Sequence, residues 1–150
     1  SLREHWQHHG RTAHLLMSFH VIPVRCIHRG DAYEIQCQET ARRVAAELEL
    51  SASDWSVSFQ SRFGKARWLT PATDRVLAGF PARGVRTLTV ICPGFAVDCL
   101  ETLEEIAIGG REIFLHGGGE QFQYVRALND RGDHAQALCA LVLASAGAAA

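Results

Sequence analysis

The sequence predicts an α/β domain in which helices cover both faces of a parallel sheet. Short β-branched or apolar runs alternate along the 150 residues with segments whose apolar positions recur at helical spacing. This alternation is typical of parallel sheets, because each strand returns to the sheet through a crossover helix. No internal repeat or low-complexity linker interrupts the pattern, and 150 residues suit one domain. We therefore predict a single three-layer domain over residues 1–150.

The first half of the chain contains signals for two helices and two strands. Helices are predicted over residues 1–10 and 31–50, and strands over residues 14–19 and 55–59. Gly10 ends the first helix, and Asp31 caps the second. The second helix is further indicated by apolar residues that recur every three or four positions from Tyr33 to Leu48.

The second half is organised around a central strand, predicted over residues 87–92, which Pro93 and Gly94 terminate. Thr73 is expected to cap a short helix before this strand. The remaining predicted elements are a helix from Asp98 that ends at Gly109 and Gly110, strands over residues 111–115 and 122–128, and a closing helix from Asp133 to about Ala144.

Composition and charge argue against several classes of function. The formal net charge is −1 and the basic residues are dispersed, which gives no electrostatic reason to expect nucleic acid. The five cysteines form no C-x-x-C pair, which indicates reduced thiols in a cytosol. Residues 1–11 do not resemble a secretory signal, and the Ala-rich run 135–150 is short for a membrane anchor. We expect a soluble cytoplasmic protein, with peripheral membrane contact left open.

The helix after the central strand is expected to have an acidic face. At about 100° per residue, Asp98, Glu101 and Glu105 fall on one side. The apolar residues fall on the opposite side: Leu100, Leu103, Ile106 and Ala107. An ordinary surface helix shows the same pattern, and an acidic residue near a helix start is favoured by the dipole. A functional interpretation therefore requires a partner elsewhere in the chain.

His20 is the candidate partner, because it follows the first strand directly. The carboxyl ends of parallel strands share the edge at which open α/β sheets bind ligands, so His20 and Glu101 are expected to face one cleft. A neutral imidazole and a carboxylate suit a weakly held divalent metal, and the imidazole can also accept protons near neutral pH. The alternative is a histidine that only makes hydrogen bonds within its loop.

The loop after the second strand is both aromatic and cationic. Residues 60–71 contain Phe63, Trp68 and three basic residues. Aromatic faces and guanidinium groups together suit a flat anionic ligand. The alternative is that the two aromatic side chains hold the loop against the body of the domain.

Three segments together resemble the ferrochelatase family. They are S-F-H-V-I-P at residues 18–23, F-Q-S-R-F-G with the following W-L within residues 59–69, and C-P-G-F-A-V-D-C-L-E-T-L-E-E-I at residues 92–106. The resemblance implies the chelatase-like fold of the C-terminal lobe of a two-lobed enzyme. It also implies a lyase of haem biosynthesis that inserts ferrous iron into a porphyrin, converting protoporphyrin IX to haem.

By this resemblance the family's functional positions correspond to six residues: His20 and Glu101 as catalytic residues and metal ligands, Asp98 and Glu105 as further metal or proton positions, and Trp68 and Phe95 as the wall of the porphyrin cleft. Insertion requires that Fe²⁺ loses water, that the macrocycle bends and that two N–H protons leave. Which of His20 and Glu101 accepts protons and which first contacts the metal stays open. The choice between protoporphyrin and coproporphyrin also stays open.

Two positions depart from the family pattern. Val21 stands where the family usually has Gly, and it would strain the loop if that site required a positive φ. Arg126 stands where close relatives tend to have Pro. Neither change removes a matched ligand.

The resemblance covers one lobe, so the other lip of the cleft would come from an N-terminal lobe or a homodimer partner. The alternative function is therefore a non-catalytic metal- or tetrapyrrole-binding half-domain. A chelatase for a different tetrapyrrole or metal is less favoured, since the matched segments resemble the haem branch. We expect ferrous iron as a substrate and no iron–sulfur cluster, because only Cys139 lies near the C-terminal tail.

Overall fold

A four-stranded, fully parallel sheet forms the centre of the molecule in the computed structural model, which describes residues 1–147. The strands are β1 (His14–His20), β2 (Trp55–Gln60), β3 (Thr87–Ile91) and β4 (Gln121–Tyr124). Their order across the sheet is β2-β1-β3-β4. The predicted α/β class and parallel sheet are confirmed. Residues 148–150 of the predicted Ala-rich run lie outside the described residues.

Helices connect the strands. They are α1 (Leu2–His9), α2 (Val24–His28), α3 (Tyr33–Glu47), α4 (Thr73–Gly79), α5 (Leu100–Thr102), α6 (Arg111–His116) and α7 (Gly132–Gly147). A 3₁₀ turn, Pro81–Arg83, follows α4, and a π-helical segment, Leu103–Gly110, joins α5 to α6. Over residues 1–147, no helix is both long enough and apolar enough to cross a membrane.

Apolar residues are buried on both faces of the sheet. Leu15, Met17 and Phe19 of β1 belong to a core that includes buried residues of α1 and α3. Leu16 lies in a second core, formed with buried residues of α4, the π-helical segment and α6. Because successive strand residues point to opposite faces, a continuous apolar run is what a sheet covered on both sides requires. This arrangement gives the three predicted layers.

The two helices predicted in the first half are present, but α3 is shorter than the predicted 31–50 and its N-cap residue is Ala32 instead of Asp31. α1 ends at His9, and Gly10 follows it with a φ of 78°. At the start of α3, Oδ1 of Asp31 accepts a hydrogen bond from the backbone N–H of Tyr33 at 2.9 Å. The loop before α3 contains the short helix α2, which was not predicted.

The prediction that Thr73 caps α4 is wrong. Thr73 is the first residue inside α4, and its side chain is buried. Its hydroxyl lies 2.8 Å from Ser18 Oγ and 2.9 Å from Ser58 Oγ. These two serines are register partners on β1 and β2, so they draw the hydroxyl towards the sheet and away from the helix N–H groups.

The predicted strand over residues 111–115 is also wrong, because this segment forms α6. Gly109 and Gly110 were expected to end the preceding helix, but the backbone continues through them in a helical conformation. A Cβ atom at Gly110 would lie 3.0 Å from Leu77 Cδ1 on α4. The missing side chain therefore permits close helix packing instead of marking a terminus. Phe114 of α6 is fully buried as a result of this packing.

Candidate active site

The strand order creates a topological switch point beside β1. From β1 the chain continues to β2 on one side and later returns to β3 on the other side. In open parallel sheets the crevice at such a point lies at the carboxyl ends of the strands and is the usual ligand site. His20 is the last residue of β1, so it lies at this crevice.

A single backbone contact orients the imidazole of His20. Its Nδ1 lies 2.8 Å from the carbonyl oxygen of Val21. A carbonyl can only accept, so Nδ1 carries the proton and Nε2 of the neutral ring carries a lone pair. No hydrogen bond within residues 1–147 occupies that Nε2. The His20 carbonyl accepts a hydrogen bond from the Tyr33 hydroxyl at 2.8 Å, which fixes this strand end to α3.

The strain expected at Val21 does not occur. Val21 is not among the residues with positive φ, and its side chain is 1% exposed. Its N–H donates to the Gln60 carbonyl at 2.9 Å, which continues the pairing of β1 with β2 by one residue. An extended backbone with a buried side chain suits a β-branched residue.

Glu101 lies in α5, on the helix that follows β3. The N-terminus of α5 is closed by Cys99 and Thr102, whose backbone N–H groups each bond to the other's side chain. A hydrogen bond from the Cys99 thiol, one from the backbone N–H of Glu101 itself, and the positive charge that nearby His20 carries when it is protonated lower the pKa of the Glu101 carboxyl. The carboxylate is therefore ionised at neutral pH, and it lies close enough to His20 for the two side chains to interact electrostatically.

Gln60 connects β2 to α5, the helix that contains Glu101. No sequence pattern indicated this residue. Gln60 is the register partner of His20, and its side chain is 1% exposed. Its amide Nε2 donates to the Glu101 carbonyl, and its Oε1 accepts from Cys92 Sγ at 3.3 Å. Burial, with the charges of nearby carboxylates, raises the pKa of the Cys92 thiol, which therefore stays protonated as a donor. The only local signal was a polar residue at the end of a strand in which apolar and polar residues alternate.

The predicted acidic face is not formed. α5 begins only at Leu100, and the helix becomes π-helical at Leu103, so a uniform 100° rotation from Asp98 does not apply. Leu100, expected on the buried side, is 78% exposed, whereas Ile106 is 1% exposed. The carboxylates of Asp98 and Glu105 consequently contact different parts of the fold.

Asp98 is held by the segment around β4. Its side chain is 5% exposed. Its two oxygens accept hydrogen bonds at 2.8–3.2 Å from Thr102 Oγ1, Tyr124 Oη, Ala127 N, Arg126 Nε and Asn129 Nδ2. Partial burial opposes ionisation, but the hydrogen bonds outweigh it and lower the pKa of Asp98 to about 2. Arg126, one of the two family departures, thus pairs with a residue matched to the family site.

Glu105 binds the residue that follows β2. Its Oε1 and Oε2 accept hydrogen bonds from the backbone N–H and the hydroxyl of Ser61, each at 2.7 Å. Ser61 has a φ of 66°, in the left-handed region that costs a non-glycine residue about 1 kcal/mol or more. The Glu105 carboxylate therefore holds a strained residue at the start of the cationic loop.

The four predicted metal residues do not form a ready ligand cluster. Over residues 1–147, no group of three or more His, Cys, Asp and Glu side chains is arranged to hold a metal ion. The structure brings His20 and Glu101 within electrostatic reach of each other but engages Asp98 and Glu105 elsewhere. What the crevice offers is one imidazole lone pair and one ionised carboxylate.

The predicted wall residues differ in their surroundings. The Phe95 ring lies 6.2 Å from the His20 ring and lines an apolar cavity of about 470 Å³. Trp68 packs against the core, and its buried Nε1 has no hydrogen-bond partner among the described residues. Phe63 is 83% exposed. Trp68 thus holds the loop to the domain, while Phe63 does not.

The parallel sheet and its switch-point crevice define a chelatase-like α/β lobe. A solved structure, that of a putative cobalamin (vitamin B12) biosynthesis CbiX protein from Marinobacter aquaeolei VT8, shares this fold with a TM-score of 0.55. The likeness covers 89% of this chain and 97% of that protein at 13% sequence identity, so it bears on the fold alone.

The chain belongs to the ferrochelatase family, whose model matches residues 1–146. The ferrochelatase of Aeromonas hydrophila subsp. hydrophila is 55% identical over 142 residues, which cover 95% of this chain and 44% of that relative. Ferrochelatase 1 of Shewanella oneidensis is 51% identical, with 95% and 42% covered. The chain therefore spans less than half the length of these curated relatives.

Proposed function

We propose that this chain supplies the metal-handling lobe of a ferrochelatase, which inserts ferrous iron into a porphyrin. The observation that carries the proposal is that the ionised Glu101 carboxylate lies within electrostatic reach of His20, whose Nε2 makes no hydrogen bond within residues 1–147. Membership of the ferrochelatase family supplies the reaction to which this pair is matched.

The reaction needs both a metal contact and a proton acceptor. Fe²⁺ replaces two N–H protons of the macrocycle, and these protons must leave the cleft. An imidazole accepts protons near neutral pH, and a carboxylate can pass them or the metal onward. We assign His20 to proton acceptance or first metal contact, and Glu101 to the relay.

Incomplete coordination suits a metal that must be released. A closed set of four ligands holds a metal structurally, whereas an open site keeps positions for exchange. The pair formed by His20 and Glu101 leaves such positions for water and for the pyrrole nitrogens. A metal ion at Asp98 or Glu105 would displace hydrogen bonds on which the fold depends, so we propose that these two carboxylates are only transient contacts.

The macrocycle is proposed to lie against Phe95. This ring lies beside His20 and at the mouth of an apolar cavity, and aromatic faces stack favourably on flat rings. Trp68 packs against the other core, so we propose that it forms a separate part of the wall. The opposite lip of the cleft is assigned to an N-terminal lobe or to a second copy of the chain.

Anaerobic porphyrin fluorescence, followed during addition of Fe²⁺ or Zn²⁺, tests the proposal. His20→Ala and Glu101→Gln should each slow metalation by about 100-fold or more, the usual scale for a lost acid–base group, while porphyrin binding is retained. His116→Ala and Glu112→Gln are matched controls, because both residues are exposed on α6. Equal losses in the control variants would contradict the proposal.

A second candidate function is a non-catalytic metal- or tetrapyrrole-binding half-domain. The lack of a three-ligand cluster in residues 1–147 favours it. This function predicts porphyrin or Fe²⁺ binding without metalation by the isolated chain. Sustained metalation by the 150-residue chain would exclude it.

A further inference from the structure

Two segments at the ligand-binding edge of the sheet contain positive charge and no acidic residue. Residues 21–30 follow β1 and contain Arg25 and Arg29. Residues 61–69 follow β2 and contain Arg62, Lys65 and Arg67. Neither segment contains Asp or Glu, although the formal net charge of the whole chain is −1. The charge of the molecule is therefore distributed unevenly around the crevice.

Most of these cations have no partner of opposite charge. Arg62 pairs with Asp74 at 2.7 Å. Within residues 1–147, the other four cations make no ion pair, which is also true of Arg75 and Arg111, whereas Arg residues on α1, α3 and the β4 side do. Like charges held together without a counter-charge repel one another and attract an anion.

Backbone contacts keep the two segments side by side. Val24 N donates to the Arg67 carbonyl at 2.8 Å, and Leu69 N donates to the Ile22 carbonyl at 3.2 Å. Between the segments lies a cleft of about 210 Å³, which we call the cationic cleft. Its lining consists of Pro23, Val24, Arg25, His28, Ala66 and Arg67. No acidic side chain lines it, so its chemistry favours a carboxylate or another oxyanion.

The opposite side of the crevice has the reverse charge. The helix after β3 carries Glu101, Glu104 and Glu105, and the next basic residue along it is Arg111. β1, β2 and β3 are parallel, so the acidic helix and the cationic cleft lie at the same edge of the sheet. A dication is therefore attracted to one side of the crevice and an anionic group to the other.

We propose that the cationic cleft binds a carboxylate at the periphery of the macrocycle, with Arg25 and Arg67 as the specificity-determining residues. This inference rests on the proposed function, because it takes the ligand to be a porphyrin with acidic side chains. Guanidinium groups pair with carboxylates through two parallel hydrogen bonds, which fix orientation as well as charge. The cleft thus orients the ring, while His20 and Glu101 handle the metal.

Two porphyrins that differ only in charge test this assignment. One is a water-soluble porphyrin with two carboxylate side chains, and the other is the same ring with both carboxylates converted to neutral oligoethylene-glycol esters. Fluorescence titration of the chain should show tighter binding of the dicarboxylate. That preference should weaken as salt is added, because screening reduces exposed charge interactions.

The double variant Arg25→Gln/Arg67→Gln should weaken binding of the dicarboxylate about 5- to 10-fold and leave ester binding unchanged, given the modest strength of exposed ion pairs. The matched control is Arg75→Gln/Arg111→Gln, which removes two exposed and unpaired cations from α4 and α6. The control variant should bind both porphyrins as the unmodified chain does.

Equal binding of the two porphyrins by the unmodified chain would overturn the inference and leave the proposed function intact. A different result would be that His20→Ala and Glu101→Gln both still metalate the porphyrin while the preference for the dicarboxylate is retained. That result would overturn the proposed roles of His20 and Glu101 and leave the present inference intact. Sedimentation with vesicles of anionic phospholipid provides a further arm. Vesicle binding that depends on Arg25 and Arg67, without a preference for the dicarboxylate, would assign the cleft to lipid phosphate and overturn the inference.

Discussion

Gln60 donates a hydrogen bond from its buried side-chain amide to the backbone carbonyl of Glu101. The same residue is the register partner of His20, so one glutamine fixes the separation between the strand end and the helix that form the crevice. The proposed metal-handling role of His20 and Glu101 depends on this separation, because functional side chains must be held within about 0.5 Å of a productive geometry.

Gln60→Leu should lower the free energy of unfolding by about 1–3 kcal/mol. The substitution leaves the Glu101 carbonyl and the Cys92 thiol without their buried partner. It should also reduce metalation more than porphyrin binding, since Gln60 itself does not line the apolar cavity. Urea denaturation and anaerobic metalation measure the two effects.

The control for this prediction is Gln121→Leu, which changes an exposed glutamine at the start of β4. It should alter the free energy of unfolding by less than about 0.5 kcal/mol. If Gln60→Leu behaved in the same way, the proposed positioning role of the amide would be wrong.

Asp98 is predicted to make the free energy of unfolding depend on pH. Its pKa falls from the ordinary 3.8 to about 2 in the fold, so the fold favours the ionised form. The ionised carboxylate therefore stabilises the fold by about 2 kcal/mol at any pH above the pKa of Asp98 in the unfolded chain. This stabilisation is lost as the pH falls through the pKa of Asp98 in the folded protein. Asp98→Asn should therefore lose about this much stability at pH 7 and differ little from the unmodified chain near pH 2.

Urea denaturation of Asp98→Asn and of the unmodified chain between pH 7 and about pH 2 gives the difference in their free energies of unfolding at each pH. Asp74→Asn is the control, because Asp74 makes an exposed ion pair with Arg62. It should change stability by less than about 1 kcal/mol at any pH. A constant gap between Asp98→Asn and the unmodified chain from pH 7 to about pH 2 would contradict the linkage.

The contact between Glu105 and Ser61 is expected to control the order of the cationic loop. Glu105→Ala removes both acceptors from a serine with a φ of 66°. Amides of residues 61–70 should then exchange with deuterium faster, while the β1 amides stay protected. Glu104→Ala is the control, since Glu104 is an exposed neighbour.

A second substitution separates strain from hydrogen bonding at this site. Ser61→Gly should recover part of the stability lost in Glu105→Ala, by about 0.5–1 kcal/mol, because glycine adopts positive φ without a steric penalty. Further destabilisation by Ser61→Gly in that background would show that the left-handed backbone is not the source of the loop's sensitivity.

The sequence predicted what depends on local periodicity and missed what depends on distant contacts. The strands were found because their apolar runs are bounded by turn residues, and His20 was placed at the crevice because strand ends share an edge. Gln60 is 41 residues from Glu101, and Tyr124 is 26 residues from Asp98, so no pattern in either segment indicates these partners. The strand at residues 111–115 was wrong because Gly110 looks like a terminator unless Leu77 is known to pack there.

The last prediction compares Trp68 with Trp6, because within residues 1–147 only the indole N–H of Trp6 has a hydrogen-bond partner. Trp68 Nε1 is buried without a partner in the described part of the chain, whereas Trp6 Nε1 donates to Thr89 Oγ1 at 3.0 Å. Phe at position 68 would remove an unsatisfied donor, which offsets the loss of packing, so Trp68→Phe should change the free energy of unfolding by no more than about 1 kcal/mol. Trp6→Phe should cost about 0.5–1.5 kcal/mol, the net value of one hydrogen bond, since Thr89 keeps its contacts with Thr12 and Gln123. Urea denaturation compares the two variants, and a larger loss at Trp68 than at Trp6 would show that its indole nitrogen has a partner in solution.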